Sequence, residues 1–150
     1  MSDYPSIESK VEDAVYYAFG TFTGGPTGYT YFKSNTGDEL TLPAITIQCQ
    51  GFKKIHEAAE EVARNNYAAT VIVATITNAT ETSRASHGNL YGWAQAMGIQ
   101  SAPQMVGLMN ASGVSNFTAS VWAEDVQGET NFEDDLRIST ITFSLICSGV

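Results

Sequence analysis

Phe117-Thr-Ala-Ser-Val-Trp-Ala-Glu-Asp-Val126 and Leu136-Arg-Ile-Ser-Thr-Ile-Thr-Phe-Ser-Leu-Ile-Cys147 decide the fold class of this 150-residue chain. Both runs are rich in β-branched and aromatic residues and free of proline, so each can offer a full set of ladder hydrogen bonds. They read as a long C-terminal β-hairpin, with Val121, Ile141, Phe143 and Leu145 predicted to point inward. The connection, Gln127-Gly-Glu-Thr-Asn-Phe-Glu-Asp-Asp135, is acidic and longer than a tight turn requires. Loops of that kind carry contacts more often than they merely reverse the chain.

Working outward from the hairpin, the rest of the chain supplies a sheet for it to join. Ala68 to Thr77 is almost continuously apolar or β-branched, as expected of the sheet's middle strand. Leu42 to Gln50 alternates Ile45, Ile47 and Cys49 with Thr46, Gln48 and Gln50, the pattern of a half-buried strand with Pro43 near its start. Ser6 caps a first helix whose apolar face is Ile7, Val11, Ala14, Val15, Ala18 and Phe19, with Gly20 just past its end. Phe52, Ile55, Ala59 and Val62 fall at helical spacing and predict a second helix over Phe52 to Tyr67. Ser86 caps a third, striped by Leu90, Trp93, Ala94 and Met97, and Pro103 opens a fourth, short one. Residues 20–41, with turn clusters at Gly24–Gly28 and Ser34–Asp38, read as a long loop or arm. Tyr29, Tyr31 and Phe32 within it are candidates for contact with a neighbouring subunit. The expectation is one α+β domain over 1–150: a two-layer sandwich with a mixed, mainly antiparallel sheet and helices on one face.

A chain of this length buries roughly 68% of its unfolded surface, so its core needs no staples. Cys49 and Cys147 each end an apolar run and read as buried thiols in a reducing compartment rather than a disulfide. No basic segment followed by an apolar run opens the sequence, and no apolar stretch reaches the roughly 20 residues that cross a bilayer, so the expectation is a soluble protein made in the cytoplasm. The formal charge of −9, from 16 acidic and 7 basic residues, repels phosphate backbones and argues against sequence-specific nucleic-acid binding. The low charged fraction, 15%, fits a surface that meets other protein.

Spacings that mark catalysis or cofactor binding are missing: no Walker A run, Gly-x-Gly-x-x-Gly after a strand, His-Glu-x-x-His or Cys-x-x-Cys occurs. Gly24-Gly-Pro-Thr-Gly28 follows a helix and lacks a Lys partner, unlike a phosphate cradle. Glu133-Asp-Asp135 lacks the ligand spacing of a calcium loop and reads as solvated acid. His56 and His87 fall on different elements. The competing enzyme or ligand-binding reading would gather His87, Trp93 and the hairpin carboxylates round a pocket.

The order of these pieces resembles the tail terminator, or tail-completion, proteins of long-tailed bacteriophages. The resemblance runs over most of the chain: the first helix, the strand with Pro43 and Ile45, the Thr70 to Thr77 strand, the helix after His87, and the hairpin with its acidic loop ending in Arg137-Ile-Ser-Thr-Ile-Thr-Phe143. It is a likeness of element order and texture, and residues 20–40 fit it less well, leaving open another neck protein or a tail tube subunit. It implies a structural virion protein, not an enzyme and without cofactor or metal. Such subunits form a ring, usually hexameric, at the head–tail junction, between the tail tube protein and the head connector or stopper, with DNA passing through the lumen. Six copies at −9 each would carry about −54, and Glu129, Glu133, Asp134 and Asp135, with Phe132 among them, are the candidates to face a partner or the lumen.

Overall fold

The computed structural model of the protein describes residues 5–22, 25–33, 41–55 and 66–148. In chain order these hold α1 (Ile7–Thr21), β1 (Thr30–Lys33), β2 (Ala44–Ile55), β3 (Asn66–Asn78), α2 (Arg84–Gln95), a π-helical turn (Ala96–Gln100), α3 (Ala102–Asn110), β4 (Thr118–Glu133) and β5 (Leu136–Ser148). The five strands form one sheet in the order β1-β2-β3-β5-β4, parallel between β1 and β2 and antiparallel elsewhere. The result is the expected α+β sandwich with β3 at its centre.

Period-two alternation divides the sheet into two unlike faces. Val71 and Val73 of β3 and Ile141, Phe143 and Leu145 of β5 point to the helices and are buried. Onto them α1 lays Val11, Ala14, Val15, Ala18 and Phe19, while Leu90 and Ala94 of α2 and Met105 and Met109 of α3 complete the core. Ser6 caps α1 as predicted, its Oγ accepting from the Ser9 N–H at 3.0 Å, and the helix runs one residue beyond Gly20. The other face of the sheet carries half-buried Thr70, Ile72, Ile138, Thr140, Thr142 and Ile146 and buried Ala44, Ala74 and Ile76, and the core residues of the described helices lie on the opposite side. Cys49 and Cys147 are buried free thiols, and burial pushes both up to about 11.

Three expectations are corrected. The helix predicted over Phe52 to Tyr67 is not where its first and last residues go: Phe52–Ile55 continue β2, and Asn66 and Tyr67 open β3. A bulge between Cys49 and Gly51 shifts the register, and the Glu12 carboxylate accepts the Cys49 N–H at 2.8 Å. Beyond the bulge Gly51 to Ile55 pair with Thr70 to Asn66, and this ladder outweighs the helical spacing of Phe52 and Ile55. Ala59, Val62 and His56 lie outside the described residues.

The predicted loop Gln127 to Asp135 is mostly strand. β4 continues to Glu133, paired residue for residue with β5, and the chain reverses over Asp134 and Asp135 alone. Asp134 takes a φ of +54°, a conformation that Asp tolerates better than most side chains. Thirdly, Val121 is exposed and Trp122 points inward in its place, stacked on Phe143 with ring centroids 4.7 Å apart. A one-residue bulge between Ala119 and Val121 slips the strand and exchanges its faces. A larger bulge, between Trp122 and Val126, sets three residues of β4 against one of β5, puts Ala123 at a φ of +63° and is held by Ser144 Oγ, which accepts the Asp125 N–H at 2.8 Å.

Candidate functional site

In an antiparallel pair, directly opposed residues share a face, so the register of β4 on β5 places each side chain of the hairpin end. Thr130 opposes Ser139 and Phe132 opposes Arg137, on the helix side of the sheet. Glu129 opposes Thr140 and Glu133 opposes Leu136, on the side away from the helices. Asp134 and Asp135 form the turn itself. The five residues singled out by sequence are therefore neighbours at one end of the sheet, but the carboxylates of Glu129 and Glu133 and the ring of Phe132 leave it by opposite faces. Phe132 is 66% exposed, with the Arg137 guanidinium 5.5 Å from its ring centroid. Asn131 Nδ2–H donates to Glu129 Oε2 at 2.7 Å. The hairpin end is thus an acidic edge carrying one large exposed aromatic ring.

Beneath it lies a chain of hydrogen bonds that sequence reasoning missed. His87 Nδ1 is 2.8 Å from Thr77 Oγ1, His87 Nε2 is 2.8 Å from Ser139 Oγ, and Ser139 Oγ is 2.7 Å from Thr130 Oγ1. One assignment serves every member: Thr130 donates to Ser139, Ser139 donates to Nε2, and Nδ1–H donates to Thr77, whose hydroxyl donates to the Asn78 carbonyl. That assignment needs a neutral imidazole, and burial lowers the His87 pKa below the usual histidine range, with Arg137 adding to the shift. A serine hydroxyl on a histidine nitrogen supplies two members of a hydrolytic triad, but here Ser139 is 1% and His87 4% exposed. The partner on the second ring nitrogen is a threonine, not a carboxylate. The network fastens β5, β3, β4 and α2 together under the hairpin end, in the manner of a satisfied polar core.

Trp93 is packed elsewhere. Its ring lies 5.8 Å from Tyr29, 6.5 Å from Tyr31 and 6.2 Å from Phe19, and the Tyr31 ring also meets Tyr16 at 5.4 Å. Tyr29 and Tyr31 are consequently turned onto their own core, and the segment expected to reach out as an arm is bound here through β1 to the sheet edge. Phe32 pairs with Thr46 in that strand, and its side chain lies outside the described part of the structure. Burial raises the hydroxyls of Tyr29 and Tyr31 above the usual tyrosine range. A cleft of about 380 Å³ opens beside this cluster between Pro26, Tyr29, Pro43, Ser86 and Asn89. His87, Trp93 and the hairpin carboxylates therefore do not converge on one pocket: His87 is sealed, Trp93 belongs to the aromatic cluster, and Glu129 and Glu133 face away from both. Among the described residues, no group of three His, Cys, Asp or Glu side chains could hold a metal ion, and no helix is long and apolar enough to cross a membrane.

No known protein family matches the chain, and no curated protein does. The site is thus read from geometry alone: an acidic, aromatic hairpin end braced from within, at the edge of a sheet that the described helices cover on one face.

The Phe132–Arg137 pair could have been found in the sequence. Thr130 and Phe132 alternate with Glu129, Asn131 and Glu133, and the alternation of β5 reaches back to Leu136. Together these leave only Asp134 and Asp135 for the turn and set Phe132 opposite Arg137.

Proposed function

We propose that this protein is a structural subunit of a ring at the head–tail junction of a long-tailed bacteriophage, where it caps the tail tube and joins it to the head connector. The reading rests on the hairpin end above all. An exposed Phe132 on one face of an edge whose turn and opposite face carry Asp134, Asp135, Glu129 and Glu133 is a surface for another protein rather than a reaction centre, since all five side chains are exposed. Two further features support it. The described helices cover one face of the sheet, and on the other Ile72, Ile138 and Ile146 lie half-exposed among threonines; a ring subunit needs contact surfaces on more than one side. The order of elements read from the sequence also resembles that of tail terminator proteins, and this likeness alone separates the reading from that of a generic assembly subunit. The acidic balance fits a channel through which DNA passes without adhering.

Negative-stain imaging of the purified protein tests the class. Rings are expected, and a particle that stays monomeric at high concentration in light scattering would overturn the assignment. Co-sedimentation with purified tail tubes then separates a terminator, which binds the finished tube end, from a head-side neck protein, which stays in the supernatant, and from a tube subunit, which extends the tube.

A further inference from the structure

The chain has seven basic residues, and Lys53–Lys54 is the only place where two stand together. Both are exposed on β2, next to Phe52, which is 45% exposed and rests edge-on against Tyr67 with centroids 5.5 Å apart. Lys53 pairs with Ala68 at the start of β3, whereas the hairpin turn adjoins Asn78 at its end. Ten residue steps along β3 separate them, or roughly 33 Å at about 3.3 Å per residue. The sheet thus carries an exposed phenylalanine at each end, one beside the Asp134–Asp135 turn with Glu129 and Glu133 on the opposite face, the other beside Lys53 and Lys54. The remaining charges near the hairpin end do not alter its sign: Arg137 lies against Phe132, and Glu81 and Arg84 offset each other on the connection that the Ala79 N–H ties to the Asp135 carbonyl.

We propose that these two ends are the halves of one contact between copies of this chain: the acidic hairpin end of one subunit docks on the Phe52–Lys53–Lys54 corner of the next. The inference rests on the ring reading above and names the surfaces that close it. Copies at −9 each repel, so a place where opposite signs meet favours self-association, and among the described residues these two ends offer one; the connection 56–65, with Glu57, Glu60, Glu61 and Arg64, lies outside the described residues. Exposed ion pairs alone contribute little. The phenylalanines supply the burial, and the charges set direction and register. Because the two surfaces differ and lie at opposite ends, the contact is head-to-tail, the type that generates rings when its rotation closes.

Paired charge reversals test this. The first variant is Lys53→Glu with Lys54→Glu, and the second is Glu129→Lys with Glu133→Lys and Asp135→Lys, which leaves Asp134 as the one carboxylate of the four; all five side chains are exposed, and matching urea midpoints check that both variants fold. Light scattering and negative stain are expected to show an assembled wild type, two variants that each fall to monomers, and reassembly when the two are mixed. In the mixture each acidic end again faces a basic one, so alternating rings with an even number of subunits form. Wild-type rings that survive both reversals would place the contact elsewhere and overturn the proposal while leaving the ring reading intact. Loss of assembly without rescue on mixing would also overturn it. A wild type that is itself monomeric would remove the ring reading and this contact together.

Discussion

His87 shows how much of this protein's order depends on single side chains that its sequence leaves unmarked. Thr77, Ser139 and Thr130 look like ordinary solvent-side strand residues, and a histidine at the start of a helix looks like surface. Only the register of three strands brings them within hydrogen-bond reach. The pKa of the folded imidazole is lowered, so between the folded and unfolded values the unfolded chain binds the extra proton. This contribution to stability is present above the unfolded value near 6.5 and is lost as pH falls below it. His87→Gln should therefore cost about 1–3 kcal/mol at pH 7.5, where it strands two buried hydroxyls. The gap to wild type in urea unfolding should narrow by pH 5.5, and a gap independent of pH would contradict the neutral, buried imidazole. Gly98 is a second such position. Its carbonyl accepts the Trp122 Nε1–H at 2.8 Å, and an added Cβ would lie 2.8 Å from Cε1 of Phe143 and closer still to Cζ. Gly98→Ala should destabilise by about 1–3 kcal/mol through overpacking, and Phe143→Leu in the same chain should cost less than it does in wild type. Strictly additive losses in thermal or urea unfolding would show that the ring does not limit the site.

At the scale of elements, α1, the middle strand β3, the alternation of β2 and the strand pairing at the C-terminus were all legible, because each carries its own period or cap. Two elements were not, and the cause is the same in both. Phe52–Ile55 and Gln127–Glu133 are polar or ambiguous by local pattern, and they become strand because β3 and β5 offer them a ladder. Cross-strand pairing is non-local, so a window of sequence sees Lys53 and Lys54 as a helix surface and Glu129 and Glu133 as a loop. The bulges of β4 are likewise silent in sequence, yet they decide that Trp122 rather than Val121 enters the core. They also have a use: β4 is a long edge strand, and two bulges with Glu124, Asp125, Glu129 and Glu133 discourage it from pairing with any passing strand. Ala123 sits at +63° in the second bulge, where an L side chain is strained by roughly 1–2 kcal/mol. Ala123→Gly should relieve that strain and, after the added freedom of the unfolded chain, leave the protein as stable as wild type or up to about 1 kcal/mol more so. A clear drop in the urea midpoint would mean that the methyl group's packing outweighs the strain.

At the scale of the whole molecule, the fold class followed from the order of elements, but the two ends of the proposed contact did not. Phe52 and Phe132 are 80 positions apart in the chain, and nothing local says that one marks a basic end and the other an acidic end of the same sheet. Buried and exposed phenylalanines have the same pattern in sequence; only the extent of the helical layer, which stops short of both, distinguishes them. If assembly joins the two ends, its trace should be confined to them. Amide hydrogen exchange can read this by comparing the assembled wild type with the Lys53→Glu, Lys54→Glu variant. β3, flanked on both sides by strands, should exchange slowest and alike in the two forms, because its protection comes from the subunit's own ladder. Amides of Gln127–Glu133 on the edge strand and of Phe52–Ile55 should exchange more slowly in the assembly, since a neighbour then shields groups that local opening exposes in the monomer. Protection that instead rose over Thr140–Ile146, in the strand between β3 and β4, would assign the interface to the face of the sheet away from the helices and leave the acidic hairpin end free for the channel or for another protein.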